Sequence, residues 1–162
     1  MAVHRFTRSK LVILACAMLG FVMLPLAGAQ AGDTIFGTVT AVKNATDMTL
    51  DYGGGRYAIH IVGIDVADKL AKPKAARAFV AKLVLGKRVR LKFYDREPNG
   101  VMTGRLLTDD RAIAIQDVGL ELVRAGLVRR QENFDYMYGE LSSAEREAQG
   151  AHRGLWSTAR PK

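Results

Sequence analysis

Cysteine is nearly absent from this sequence, and its absence excludes two kinds of stabilising site. Only Cys16 occurs among 162 residues, so the chain can form neither an internal disulfide framework nor a cysteine-based zinc site. Proline is also scarce, with four residues, and the composition is neither collagen-like nor disordered. With 49% hydrophobic and 25% charged residues, the chain has the composition of one soluble domain of ordinary size.

Acidic side chains are in deficit as well. The 24 lysine and arginine residues exceed the 16 aspartate and glutamate residues, which gives a formal net charge of +8. A chain with this balance attracts polyanions rather than positively charged partners.

The first 31 residues have the pattern of a secretory signal peptide. Basic residues precede an apolar run over residues 11–26, and small residues at 27–32 offer two A-x-A cleavage positions. The run is shorter than the ~20 residues that cross a bilayer and contains Pro25, so a cleaved leader is favoured over a membrane anchor. We expect cleavage after Ala31 and a secreted or periplasmic protein without stable membrane association.

Removal of this leader leaves residues 32–162 as one domain. Three of the 24 basic residues lie in the leader, so the remainder carries 21 basic and 16 acidic residues and no cysteine. A chain of about 130 residues is long enough to bury a core without disulfides. Because no internal repeat or linker divides this segment, we expect a single domain. We also expect this domain to be a monomer.

Alternating and β-branched residues predict strands in the first half of the domain. These strands cover residues 35–42, 48–52 and 57–64, and the glycines at 53–55 are typical of a hairpin tip. Turn and capping signals separate the elements that follow. They are a helix over 73–84, strands over 89–94, 101–108 and 113–115, and helices over 117–124 and about 138–151.

This order of elements predicts the fold class. Five short strands interrupted by one helix, and followed by two more helices, are typical of a small closed barrel. We therefore expect a β-barrel plus helices, specifically a five-stranded OB-fold barrel with three helices. OB barrels often bind nucleic acids or sugars, but a fold does not by itself determine a function.

Four segments, in order along the chain, carry a more specific resemblance. They are HIVGIDVAD at 60–68, TGRL at 103–106, LVRAGL at 122–127, and EREA at 145–148 followed by GLW at 154–156. With these segments, residues 32–162 resemble the staphylococcal nuclease (thermonuclease-like) family over essentially their whole length. The resemblance implies a staphylococcal-nuclease-like OB fold and calcium-dependent hydrolysis of phosphodiester bonds in DNA or RNA.

The resemblance also implies a calcium site made of two carboxylates and one backbone carbonyl. Asp65 stands at the second carboxylate position and Val66 at the carbonyl position. The first carboxylate stays open between two neighbours, because ungapped counting selects Thr46 and a shift of one residue selects Asp47. Calcium prefers oxygen ligands, which suits this set.

Three catalytic positions follow from the same resemblance. Arg105 stands at the second phosphate-binding arginine, His60 replaces the first, and Asp68 replaces the glutamate that acts on the attacking water. Guanidinium matches phosphate oxygens bidentately, whereas a neutral imidazole offers one donor. Asp68 is one methylene shorter than glutamate, and a misplacement of about 1 Å can cost roughly 10²-fold in rate. The site is therefore incomplete relative to the family.

These departures leave several functions open. The first is a secreted calcium-dependent nuclease, and the second is a non-catalytic OB-fold module that holds single-stranded DNA or RNA, or another polyanion, on a basic face. A third is an interaction module with no nucleic-acid role. The basic face would consist of Lys69, Lys72, Lys74, Arg77, Lys82, Lys87, Arg88, Arg90 and Lys92, with Phe93 and Tyr94 as candidates for base stacking.

Overall fold

The computed structural model describes most of the predicted domain. The described residues are 32–66, 73–109, 114–132, 134 and 139–158. The predicted leader, Asp68, and the lysines at 69 and 72 lie outside them. Within the described part, no helix combines the length and the apolar character needed to cross a membrane.

Seven strands and three α-helices make up the described part of the chain. The strands are β1 (Thr34–Val42), β2 (Asp47–Tyr52), β3 (Gly55–Ile61), β4 (Ile64–Asp65), β5 (Arg88–Arg96), β6 (Met102–Thr108) and β7 (Arg129–Arg130). The helices are α1 (Pro73–Val84), α2 (Val118–Arg124) and α3 (Glu140–Gly150), followed by a 3-10 helix (Gly154–Thr158).

The five long strands close into a barrel in the order β1, β2, β3, β6, β5. Neighbours are antiparallel except β3 and β6, which run parallel, and β1 closes the barrel against β5. Every second side chain points inward, as Leu50, Ile59 and Leu91 do, and is buried. Helix α1 packs on β1 and α2, and α2 packs on β6 and α3. The predicted OB-type barrel with three helices is confirmed.

Two predicted strands differ from the structure. The strand expected over 57–64 ends at Ile61, because Gly63 adopts a φ of +82° and turns the chain into the short strand β4. Of the strand expected over 113–115, the described residues 114 and 115 form no strand. The first difference matters for function, since the turn at Gly63 carries Asp65 away from the barrel wall.

Phe93 was a candidate for base stacking, and the structure places it in the core. It follows the alternation of Val89 and Leu91 along β5 and is 3% exposed. A ring on the inner face of the barrel contacts other apolar side chains and is not accessible to a base. The interpretation of Phe93 as a stacking residue is therefore wrong.

Gly104 lies where β5 and β6 approach closely. A Cβ added there would lie 2.1 Å from the carbonyl oxygen of Lys92. Because the clash involves backbone, Gly104→Ala must displace a strand, and we expect it to lower the free energy of unfolding by about 1–3 kcal/mol. A Cβ added at Gly150 would have no contact within 4 Å, so Gly150→Ala should leave the free energy of unfolding unchanged or raise it. Equal effects of the two changes in urea unfolding would contradict this expectation.

Candidate active site on the barrel surface

The parallel pairing of β3 and β6 brings two of the predicted catalytic residues onto one outer face. His60 lies opposite Thr103, and Ile61 lies opposite Gly104. Ile59 and Ile61, the neighbours of His60 along β3, are buried, so the His60 ring faces outward. Arg105 follows Thr103 by two residues along β6 and therefore faces the same side of the sheet. Strand spacing and rise place the Cα atoms of His60 and Arg105 on the order of 8 Å apart.

Arg105 is held by an aspartate that also begins a helix. Its Nε donates to Oδ2 of Asp117 at 2.9 Å, and the two side chains are 17% and 3% exposed. The other oxygen of Asp117 accepts from the backbone N–H of Leu120 at 2.9 Å and caps α2. The same carboxylate therefore caps α2 and restricts the orientation of the Arg105 guanidinium.

Tyr94 interacts with the pair formed by Arg105 and Asp117. Burial raises the pKa of the Tyr94 phenol, while the charge and the hydrogen bond of Arg105 act in the opposite direction. The phenol therefore stays protonated at neutral pH. We call Tyr94, Arg105 and Asp117 the Arg105 cluster.

His60 forms a cross-strand pair with Asp47. The two residues lie opposite each other in β2 and β3, and Nδ1 of His60 is 2.7 Å from Oδ1 of Asp47. The second oxygen of Asp47 accepts from Nδ2 of Asn44 at 2.6 Å. Burial alone would raise the pKa of the Asp47 carboxyl, but the hydrogen bonds from His60 and Asn44 and the charge of His60 bring it below its ordinary value. Asp47 is therefore ionised at neutral pH.

The two candidates for the first metal position have different surroundings. Thr46 is 2% exposed, and its carbonyl oxygen accepts from the backbone N–H of Ile61. Asp47 is partly exposed on the outer face and bonds to His60. The side chain of Asn44 organises the turn by accepting from the backbone N–H groups of both candidates, at 2.8 and 2.7 Å.

Asp65 and Val66 lie just beyond the Gly63 turn. Asp65 is exposed and lies opposite Arg129 in the antiparallel pairing of β4 with β7. Val66 is half-buried. In the described ranges, no three His, Cys, Asp or Glu side chains are grouped closely enough to hold a metal ion. The Asp65 carboxylate and the Val66 carbonyl are oxygen donors of the kind that calcium takes together with water. Asp68 lies outside the described residues.

A groove of about 310 Å³ opens beside His60 and Asp47. Its opposite wall comes from the β5–β6 turn and contains Glu97, Asn99 and Val101. The groove is large enough for part of a nucleotide and carries both an imidazole and carboxylates. Neither Glu97 nor Asn99 was singled out from the sequence, because their position beside His60 depends on how the barrel closes.

The ionised Asp47 contributes stability that depends on pH. Because its native pKa is lowered, the contribution is complete above the ordinary value of 3.8 and is lost as pH falls through the native value. Since both partners are 36% exposed, the contribution is at most about 1 kcal/mol. We expect Asp47→Asn to lower the free energy of unfolding at about pH 6, and we expect this effect to shrink as pH falls below the ordinary value of 3.8. Urea unfolding over this pH range measures the effect, and a difference that does not shrink as pH falls would contradict the expectation.

Comparison with known proteins agrees with the family resemblance of the sequence. A family model described as staphylococcal nuclease homologue matches residues 59–158, which include every predicted site residue except the two candidates for the first metal position, Thr46 and Asp47. The protein named "Probable staphylococcal-like nuclease CAN1" of Oryza sativa subsp. japonica is 29% identical over 109 residues. "Probable staphylococcal-like nuclease CAN2" of the same organism is 30% identical over 108 residues.

The matches with the two relatives cover a larger share of this chain than of the relatives. Each covers 66% of this chain, but only 31% of CAN1 and 28% of CAN2, so the chain spans less than a third of the length of these relatives. The family model covers more than half of the chain, and the closed barrel with three helices agrees with it. The chain therefore belongs to the staphylococcal nuclease homologue family.

Proposed function

We propose that this protein is a nuclease that hydrolyses phosphodiester bonds of single-stranded DNA or RNA with the help of calcium. The observation that carries the proposal is the shared outer face of β3 and β6, on which Arg105 lies two residues beyond the cross-strand partner of His60. Asp65 follows β3 after the turn at Gly63, in the short strand β4. Membership of the family and the printed names of the rice relatives agree with nuclease chemistry.

Arg105 is the phosphate-binding residue in this proposal. Asp117 accepts the Nε–H of Arg105 and fixes the plane of its guanidinium, whose fork of donors matches the oxygens of a phosphate. Because Asp117 is nearly buried and tied to α2, the guanidinium is oriented before substrate arrives. An oriented donor stabilises the growing charge on phosphate without reorganisation during the reaction.

His60 is the second residue that contacts substrate. Asp47 engages the imidazole through Nδ1, so Nε2 is the ring nitrogen that would contact substrate, and both residues line the groove. We propose that Asp47 acts as the positioning residue for His60, and that it contributes to substrate binding in this way rather than as a metal ligand.

Asp65 and the carbonyl of Val66 would hold the calcium ion, and Asp68 would act on the attacking water. Calcium, when bound, neutralises phosphate charge and polarises the phosphoryl oxygen. The Asp65 carboxylate is exposed in β4, just beyond the Gly63 turn, where a cation could be shared between it and a phosphate. These three assignments follow the positions of the family pattern, with Asp68 standing where the family has glutamate.

A cleavage assay tests the proposal. The purified protein is incubated with single-stranded DNA and RNA in the presence of calcium or of a chelator, beside the variants Asp65→Asn and Asp51→Asn. We expect cleavage that requires calcium, is lost in Asp65→Asn and is retained in Asp51→Asn, which removes an acid at the far end of β2. Absence of cleavage at high enzyme concentration, or cleavage that a chelator leaves unchanged, would overturn the proposal.

We also propose that residues 1–31 direct export, and that the protein acts in the periplasm or outside the cell. The support is the basic, apolar and small-residue pattern of this segment. Mass spectrometry of protein recovered from the periplasm or the medium of a bacterial host should give Gly32 as the first residue. Recovery of the full-length chain in the membrane fraction would contradict this.

A further inference from the structure

The outer face of β1, β5 and β6 carries a continuous group of aromatic and basic side chains. Phe36 of β1 lies opposite Arg90 of β5, and Lys92 of β5 lies opposite Arg105 of β6. All four side chains point outward, because the residues between them along each strand point into the core. We call the outward side chains of Phe36, Arg88, Arg90 and Lys92 the Phe36 face.

Phe36 is an exposed ring held between charged groups. It keeps 46% of its surface accessible, and among the described residues it is the one aromatic member of the exposed large hydrophobic side chains. The guanidinium carbons of Arg88 and Arg90 lie 5.5 and 5.6 Å from its ring centroid, which is cation–π distance. A phenyl ring in this setting offers a stacking surface beside positive charge.

The charge of the Phe36 face fits a polyanion. Asp109 accepts from Nε of Arg90 at 2.6 Å and pairs with Nε of Arg88 at 3.4 Å, so one carboxylate orients two arginines. The Arg88 side chain is 67% exposed, and Lys92 is exposed next to the Arg105 cluster. The pair of arginines keeps a net positive charge, to which Lys92 adds another.

The Phe36 face is also continuous with the candidate active site. Lys92 is the cross-strand neighbour of Arg105, and Arg90 is two residues from Lys92 on the same face. Two strand spacings and one step of two residues place Phe36 roughly 12 Å from Arg105. A nucleic acid strand whose phosphate sits at Arg105 would reach Phe36 within a few nucleotides, inside the 4–16 nucleotides that one OB fold covers.

We infer that the Phe36 face is a binding subsite for single-stranded nucleic acid, in which a base stacks on Phe36 while Arg88, Arg90 and Lys92 hold phosphates. The inference deepens the proposed function and rests on it for the identity of the ligand. Stacking on a protein ring requires an unpaired base, because the bases of a duplex are already stacked on each other. The subsite therefore selects single strands.

A binding assay with chelator present tests this subsite separately from cleavage. Fluorescence anisotropy with a labelled single-stranded oligonucleotide of about 12 nucleotides reports affinity while no calcium is available. Because one stacked base contributes about 1–3 kcal/mol, Phe36→Ala should weaken binding roughly 5- to 150-fold. Phe36→Trp should retain affinity. Phe36→Leu, which keeps an apolar side chain without a ring, should resemble Phe36→Ala.

A matched control comes from a second aromatic residue next to an arginine. Tyr57 has the guanidinium of Arg96 at 5.7 Å from its ring centroid, but it lies near the β2–β3 hairpin. Tyr57→Ala should leave affinity unchanged, and thermal unfolding of every variant verifies that it folds. Affinity of Phe36→Ala within twofold of wild type, or an equal loss in Tyr57→Ala, would overturn the inference.

The dependence of affinity on salt separates stacking from phosphate contact. Arg88→Gln and Lys92→Gln should each reduce the slope of log affinity against log salt by about 1, whereas Phe36→Ala should leave it unchanged. Duplex DNA that binds as tightly as the single strand, with the same sensitivity to Phe36→Ala, would overturn the stacking role. Wild-type protein that binds but never cleaves would overturn the proposed nuclease function alone, while cleavage with no effect of Phe36→Ala on binding would overturn the subsite alone.

Discussion

Replacing Arg105 with lysine is expected to lower kcat for cleavage of single-stranded DNA by about 10³-fold. An arginine that stabilises a phosphoryl group in its transition state contributes roughly 10³- to 10⁵-fold. Lysine keeps the positive charge and can still pair with Asp117, but it has no planar fork to match two phosphate oxygens. The loss should therefore appear mainly in kcat, with a smaller change in KM.

The matched control is Arg96→Lys, which changes an arginine at the far end of β5 beside Tyr57. Steady-state kinetics on the same oligonucleotide should show this variant close to wild type. A loss of less than tenfold in Arg105→Lys, or a similar loss in Arg96→Lys, would show that Arg105 is not the phosphate-binding residue.

Asp117 is expected to affect stability and activity through two separable contacts. Asp117→Ala removes the cap of α2 and leaves the mostly buried Arg105 without this carboxylate, so we expect the free energy of unfolding to fall by roughly 2–4 kcal/mol. Asp117→Asn keeps a side chain that caps helices well, so the loss should be smaller, about 1–2 kcal/mol. Urea unfolding measures both.

The activity of the two Asp117 variants should not follow their stability. Both lose the charged partner that orients Arg105, and a displacement of a reacting group by about 1 Å costs on the order of 10²-fold in rate. We therefore expect kcat to fall by about 10²-fold in each, at a temperature where both are folded. Normal kcat in Asp117→Asn would show that this carboxylate serves only the fold.

Several elements of the fold could be predicted because local chemistry decides them. Helix α1 extends over Pro73–Val84, as predicted from the spacing of its apolar residues and from Pro73. The three glycines from Gly53 to Gly55 predicted the β2–β3 hairpin, and the structure has a turn at Gly53 and Gly54 with positive φ. The break after Ile61 was missed, because β-branched residues continue on both sides of Gly63.

The site was harder to predict, and the reasons differ between residues. Asp47 and His60 are equally distant from the Gly53–Gly54 turn, so hairpin symmetry alone could have paired them. No comparable signal joins Arg105 to Asp117, because their contact depends on an isolated bridge between Leu107 and Asp117 that brings the start of α2 to β6.

Alternation along β1 and β5 distinguishes the two phenylalanines. Phe93 has the same parity as the buried Val89 and Leu91, which already predicts an inward ring. Phe36 lies between the inward positions Ile35 and Gly37, which predicts an outward ring. The position of a side chain along its strand therefore predicts its exposure better than its adjacency to lysine and arginine does.

The amino-acid sequence by itself determined the order of the five barrel strands and three helices, the barrel class, the family and the residue types available for phosphate and metal chemistry. These follow from short-range periodicity, turn residues and motif spacing. Only the tertiary structure decided which charges meet: Asp47 with His60, Asp117 with Arg105, and Arg88 and Arg90 around Phe36. Strand register and barrel closure set these contacts, and both arise from packing between residues that are far apart in the chain.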